Sequence, residues 1–266
     1  DILVARAFGA GPITDAFWVA FRIPNLLRRL FAEGAFAQAF VPILGAARNN
    51  RSEDEVRTLL DRVALLLTAA LMLVTLIGII AAPWVVSAMA SGLRGAARDT
   101  EFGAAVWMTR MMFPYILCMS LIAFASGVLN TWRRFAVPAF TPVLLNLSMI
   151  GACIWLAPRM DVPVYALAIG VMIGGVAQLA VQWVALARLG LTPRFSLRFR
   201  QAWADPTVQR ILKQMAPATL GVSVAQLSLL INTNIATWLT PGSVTWLSFA
   251  DRLMEFPTAL LGVALG

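Results

Sequence analysis

Apolar runs near the length of a membrane crossing alternate with short charged connections along almost the whole chain. They occupy about Val63 to Ala90, Ala104 to Leu129, Phe135 to Ala157, Pro163 to Ala187, Met215 to Leu239 and Thr245 to the end. Each approaches the roughly 20 residues that a helix needs to cross the hydrocarbon layer. Ile2 to Phe8 is too short to cross and reads as the end of a helix begun upstream, closed by the turn Gly9-Ala-Gly-Pro12. Between them lies Thr14 to Pro42, a mostly apolar stretch that carries Asp15, Arg22, Arg28, Arg29 and Glu33. With the fragmentary first helix the pattern predicts eight helical segments.

The charges in Thr14 to Pro42 change the picture. A charge at the centre of a spanning helix costs roughly 2.5 to 3.5 kcal/mol, so several in one segment require partners, water or a ligand. At 100° per residue Asp15, Arg22, Arg29 and Glu33 fall within about 40° of one another, with Arg28 about 100° to the side. Pro24 removes a backbone hydrogen bond and Gly34 loosens the chain further on, which predicts a broken or strongly tilted helix. Irregular helices at membrane depth line watery cavities or face protein, and transporters place their sites there.

Composition fixes the class. Hydrophobic residues make up 60% of the 266 and charged ones only 13%, and the mean hydropathy is +0.79, so the bilayer acts as the solvent. The net charge of +8 could suggest nucleic acid, but the basic residues sit in loops. Twelve lie in the second, fourth and sixth connections, among them Arg51, Arg134 and Arg200; the alternate ones hold only Arg94, Arg98 and Arg159. The positive-inside rule places the first set in the cytoplasm. Cys118 and Cys153 lie within apolar runs without metal spacing and read as packing residues. Ser52-Glu-Asp-Glu55 reads as a solvated helix start. Phe195, Phe199 and Trp203 recur every four residues among arginines, as in a helix lying on the cytoplasmic face, and Asp205-Pro206 reads as an N-cap and first-turn proline. This connection divides the chain into a first lobe, 1–190, a cytoplasmic amphipathic linker, 191–212, and the start of a second lobe, 213–266.

A short repeat supports two lobes. Trp18-Val-Ala-Phe21 resembles Trp246-Leu-Ser-Phe249; each copy follows a Gly/Pro turn and precedes charges and a proline. Asp251, Arg252 and Glu255 are then counterparts of the charges in the first copy, with Arg252 and Glu255 spaced to pair on one helix face.

Three stretches, TDAFWVAFRIPNLLRRLFAEGAFAQAFVPIL, LNTWRRFAVPAFTPVLLN and SFADRLMEFPTALLGVALG, closely resemble the MurJ (MviN) family of lipid II flippases, relatives of the multidrug and toxic compound extrusion pumps. The resemblance covers essentially the whole chain. It implies an all-α, polytopic bundle of the bacterial inner membrane, a two-lobe transporter of fourteen helices of which about eight are present here. It implies no enzyme and no cofactor, but a flippase that carries undecaprenyl-pyrophosphate disaccharide-pentapeptide to the periplasmic face by alternating access. The partners implied are lipid II, membrane lipids and a coupling ion or the membrane potential. Carried over by position, the family's cavity charges fall on Asp15, Arg28 and Arg252, with Arg29, Glu33, Asp251 and Glu255 beside them. Arg22 stands where relatives carry another basic residue and weighs less.

A pyrophosphate calls for fixed positive charge, and a guanidinium offers two donors while staying protonated. Arg28 and Arg252 are the expected clamp. Arg29 and Glu33, four apart, fit a structural pair as well as a substrate role, and Asp15 fits a first-turn dipole partner as well as a cavity charge. A drug or cation exporter of the same superfamily would favour acids in its cavity, and a polysaccharide-lipid flippase would share the basic one. A membrane enzyme acting on polyprenyl phosphates would need a histidine, paired metal-binding aspartates or an activated nucleophile. The chain has no histidine.

Overall fold

The computed structural model describes residues 2–28, 36–95, 98–194, 196 and 198–265, with the side chains of 2, 27, 28, 216, 218–225 and 255–265 outside the description. Among the described residues the chain is helical throughout, without strands: α1 (Ile2–Phe8), α2 (Pro12–Arg28), α3 (Ala37–Asn50), α4 (Glu53–Met89), α5 (Asp99–Met112), α6 (Tyr115–Thr131), α7 (Ala136–Gly151), α8 (Tyr165–Arg188), α9 (Phe199–Trp203), α10 (Pro206–Thr237) and α11 (Ser243–Leu265).

Four helical stretches among the described residues combine the length and apolarity of a membrane crossing: Glu53–Met89, Asp99–Thr131, Ala136–Arg159 and Tyr165–Arg188. These match four of the six apolar runs, and α10 and α11 match the other two. The charged stretch comprises α2 and α3, with 29–35 outside the described residues, and Pro24 is accommodated inside α2.

Local chemistry explains the ends. Ser52 caps α4 reciprocally with Glu55, whose carboxylate takes the Ser52 N–H at 2.9 Å while the Glu55 N–H reaches the Ser52 hydroxyl at 3.4 Å. Those bonds to the Ser52 backbone and side chain hold the Glu55 carboxyl below its ordinary range. At 37 residues, α4 rises about 55 Å, well beyond the roughly 30 Å hydrocarbon core, so its first turns project past the bilayer.

The core is built in two storeys. Phe17, Trp18, Val86, Met108, Tyr115 and Val171 form one, where α2 and α5 pack with α4, α6 and α8. Phe40, Leu44, Leu60, Phe124, Leu186 and Ile211 form the other, where α3 and the start of α10 join the same three long helices. Gly170 and Gly174 bring α8 close to α7 and the turn after it: a Cβ on Gly174 would come within 2.8 Å of Leu145, and one on Gly170 within 2.8 Å of Ala152. Small residues four apart that let backbones meet are the usual means of helix association in lipid, where burial supplies no drive.

The connection after α8 departs from expectation. The helix is confined to Phe199–Trp203, while residues 191–194, 196 and 198 are non-helical and Phe195 lies outside the described residues. The Arg194 backbone N–H is held at 2.7 Å by the Asp61 carboxylate of α4, so a tertiary bond takes a donor the four-residue periodicity could not foresee. Helix α10 does begin at Pro206, with the Asp205 carboxylate accepting from Thr207 N at 2.8 Å and Val208 N at 3.4 Å.

Candidate functional site

Helices α2 and α11 lie side by side, and their polar residues meet in two layers. In the first turn of α2, Asp15 is 2% exposed. Its carboxylate accepts from the Gly242 N–H at 2.6 Å, the Thr245 N–H at 2.8 Å and the Thr245 hydroxyl at 2.6 Å. A helix leaves its first N–H groups unpaired, and here a neighbouring helix supplies the cap. Gly242, at φ +99°, makes the turn into α11 and lies against Ala10. The buried carboxylate and the orphan donors thus cancel each other's desolvation.

Two turns further along α2, Arg22 reaches between α10 and α11. Its side chain is 14% exposed, and it pairs with Asp251 at 3.0 Å. The same guanidinium donates to the Ser248 hydroxyl and the Leu229 carbonyl, each at 3.3 Å, and to the Thr233 hydroxyl. The Thr233 hydroxyl in turn donates a hydrogen bond to the Leu229 carbonyl at 2.6 Å. Between the layers Trp18 meets Phe249 edge-on, ring centroids 5.9 Å apart.

The registers are informative. The α2–α11 hydrogen-bond partners lie 226 to 230 positions apart, the interval that separates the two copies of the short repeat at Trp18 and Trp246. The copies therefore pack against each other in parallel, each first turn beside the other.

Of the residues singled out from sequence, Asp15 and Asp251 stand in this contact. Arg252 follows Asp251 as an exposed residue of α11. Arg28 ends α2 and Glu255 lies within α11, with the side chains of both outside the description, and Arg29 and Glu33 lie outside the described residues altogether. Sequence reasoning gave Arg22 little weight and passed over Thr233, Ser248 and the Leu229 carbonyl. The signal for Arg22 was its place on the Asp15 stripe; nothing in the sequence marks a carbonyl as an acceptor.

A second polar contact holds the start of α10 to the start of α4. Arg62 pairs with Asp205, and Arg51 donates to the Thr207 hydroxyl at 2.8 Å. Burial opposes ionisation of Asp205, but the Arg62 hydrogen bond and the capping N–H groups outweigh it and hold the carboxyl below its ordinary range. At the other end of α10, Arg98 donates to the Thr237 carbonyl at 2.7 Å, and the Trp238 indole N–H to the Ser91 hydroxyl at 3.1 Å.

The family model described as Lipid II flippase MurJ matches residues 4–266. A protein of Burkholderia cenocepacia described as lipid II flippase MurJ is 55% identical over 266 residues, covering 100% of this chain and 51% of that one. A probable lipid II flippase MurJ of Haemophilus influenzae is 40% identical over 270 residues, covering 100% of this chain and 52% of that one. A solved structure described as lipid II flippase MurJ, inward closed conformation, aligns with a TM-score of 0.79 over 98% of this chain and 52% of that chain. At 22% identity it is a likeness of fold. The chain spans about half the length of the curated relatives it matches.

Proposed function

Because this chain belongs to the lipid II flippase MurJ family, we propose that it forms the first lobe, 1–190, the linker, 191–212, and the start of the second lobe, 213–266, of a multi-pass inner-membrane flippase. Its cargo is the undecaprenyl-pyrophosphate disaccharide-pentapeptide, carried from the cytoplasmic to the periplasmic face by alternating access. A coupling ion or the membrane potential supplies the drive.

The observation that carries this reading is the charged α2–α11 contact inside an apolar bundle. Charges at membrane depth persist where they are paired or serve a pathway, and here paired groups lie on the same two helices as Arg28 and Arg252. We assign Arg28 and Arg252 to the pyrophosphate as forked donors. Arg29, Glu33 and Glu255 complete the charged lining. Asp15 and Asp251 serve the headgroup by fixing α11 and Arg22 around it. An exporter of drugs or cations would place unpaired acids there instead.

The test is complementation of a strain depleted of its own flippase. Arg28→Ala and Arg252→Ala should abolish growth, with lipid II accumulating on the cytoplasmic face, and Arg→Lys should retain part of the activity. Full rescue by both alanine variants would remove the clamp. Accumulation of a polysaccharide precursor with lipid II unaffected would move the assignment to a polysaccharide flippase.

A further inference from the structure

A cleft of about 190 Å³ opens where the first turns of α4 meet the connection after α8, lined by Asp54, Arg57, Thr58, Asp61, Thr192 and Arg194. It takes no part in the α2–α11 contact. Asp54, Arg57 and Asp61 stand three and four residues apart, spacing that ordinarily closes ion pairs along a helix. Among the described residues Arg57 makes none, and the Arg194 guanidinium has no hydrogen-bond or ion-pair partner there either. Asp61 is engaged on one oxygen by the Arg194 backbone N–H at 2.7 Å, which ties the far wall of the cleft to α4. That wall turns at Gly190, whose φ is +68°, and a Cβ there would lie 3.5 Å from the Arg57 guanidinium, so the arginine rests against the turn.

Depth and surroundings narrow the occupant. The apolar part of α4 starts at Val63, so along a helix that rises 1.5 Å per residue Asp61 stands about 3 Å below the hydrocarbon edge, inside the headgroup layer, and Arg57 about 9 Å below it, at that layer's outer margin. The headgroup layer occupies about 5 to 8 Å on each face. Beside the cleft, α9 packs on α4 through Ala202, 1% exposed, and turns out Phe199 and Trp203, 43% and 59% exposed. Exposed aromatics flanked by arginines sit where acyl chains give way to headgroups. The cleft itself offers two guanidinium groups and two carboxylates, so a purely anionic or purely cationic ligand would leave one pair opposed.

We propose that this cleft binds the headgroup of a zwitterionic aminophospholipid of the cytoplasmic leaflet. The phosphodiester meets Arg57 and Arg194 with the Thr58 and Thr192 hydroxyls, the primary ammonium meets the Asp61 oxygen left free by the Arg194 N–H with Asp54 two turns further out adding the same attraction, and the glycerol end runs past Phe199 and Trp203. Trp203 stands two residues before Asp205, the N-cap of α10, so the bound lipid seats the start of α10 at the membrane surface.

The test is lipid binding by the purified full-length protein, followed by native mass spectrometry with matched phosphatidylethanolamine, phosphatidylcholine and phosphatidylglycerol. Phosphatidylethanolamine should bind several-fold more tightly than the other two. The double variant Arg57→Gln/Arg194→Gln should lose about tenfold of that affinity, the scale of one charge-assisted contact. Asp54→Asn/Asp61→Asn, which keeps an acceptor for the Arg194 N–H, should erase the preference over both phosphatidylcholine and phosphatidylglycerol. Unchanged thermal unfolding of both variants separates lost binding from lost fold. Equal binding of the three lipids, tighter binding of phosphatidylglycerol, undiminished binding by either variant or displacement by inorganic phosphate would each overturn the proposal. Binding is read without transport, so its failure leaves the flippase reading standing.

Discussion

Among the described residues two ion pairs tie α10 and α11 to the rest of the chain, and in each, one member is far less exposed than the other. In Arg22–Asp251 the less exposed partner is the cation, 14% against 37%; in Arg62–Asp205 it is the anion, 9% against 36%. Around Arg22 the further partners are two hydroxyls and a carbonyl drawn from two helices. Around Asp205 they are two N–H groups of its own first turn. A buried charge is held by neutral dipoles as much as by its counterion. Where those dipoles are local, losing the counterion is cheap; where they come from distant helices at membrane depth, the charge helps to set the packing.

The greatest loss should come from Asp15, which has no counterion among the described residues and three donors from the start of α11 and the turn before it. Asp15→Leu leaves those donors unpaired and should lower stability by about 3 to 5 kcal/mol, with Asp15→Asn between it and wild type. Thermal unfolding in detergent reads this directly. A melting point unchanged in the leucine variant would mean that the contact carries no weight.

At the Arg22–Asp251 pair the lower exposure of the cation predicts an asymmetry. Asp251→Leu, which strands Arg22, should cost more than Arg22→Met, which leaves a half-exposed carboxylate. A double-mutant cycle should give a coupling of about 1 to 2 kcal/mol. The reverse order would show that Thr233, Ser248 and the Leu229 carbonyl satisfy Arg22 unaided.

Arg62→Ala should cost under about 1 kcal/mol, because water reaches the pair and the N-cap survives. The pH dependence has a definite sign. With its folded pKa held below the ordinary value, Asp205 adds stability that is fully present above about pH 4, its unfolded range, and is lost as pH falls through the folded value. Asp205→Asn should flatten that acid limb of the unfolding curve; a limb unchanged in slope would place the proton uptake elsewhere.

The smallest perturbation tests the sides on which the two contacts lie. Cysteines placed at Arg51 and Arg200 should be shielded from an impermeant thiol reagent applied outside, whereas those at Asp99 and Asp161 should label. The opposite labelling would invert the bundle and put the α4–α10 corner on the periplasmic face.

The sequence by itself determined the class, the spans and the local starts. Hydropathy and length suffice for Glu53–Met89 or Tyr165–Arg188 because each crossing must satisfy its own backbone in lipid. Capping is legible at Ser52 and Asp205 because donor and acceptor lie within three residues. The repeat at Trp18 and Trp246 was visible, but its two copies could equally have lain apart. Only the tertiary structure set them in contact, gave Asp15 to the α11 N-terminus and joined Arg22 to Asp251. Those partners are some 230 positions apart, and a charge on an apolar helix announces that it needs a partner without saying which helix brings it. The non-helical connection after α8 has the same cause: Asp61 takes the Arg194 N–H from more than a hundred residues away, and local periodicity carries no information about such a bond.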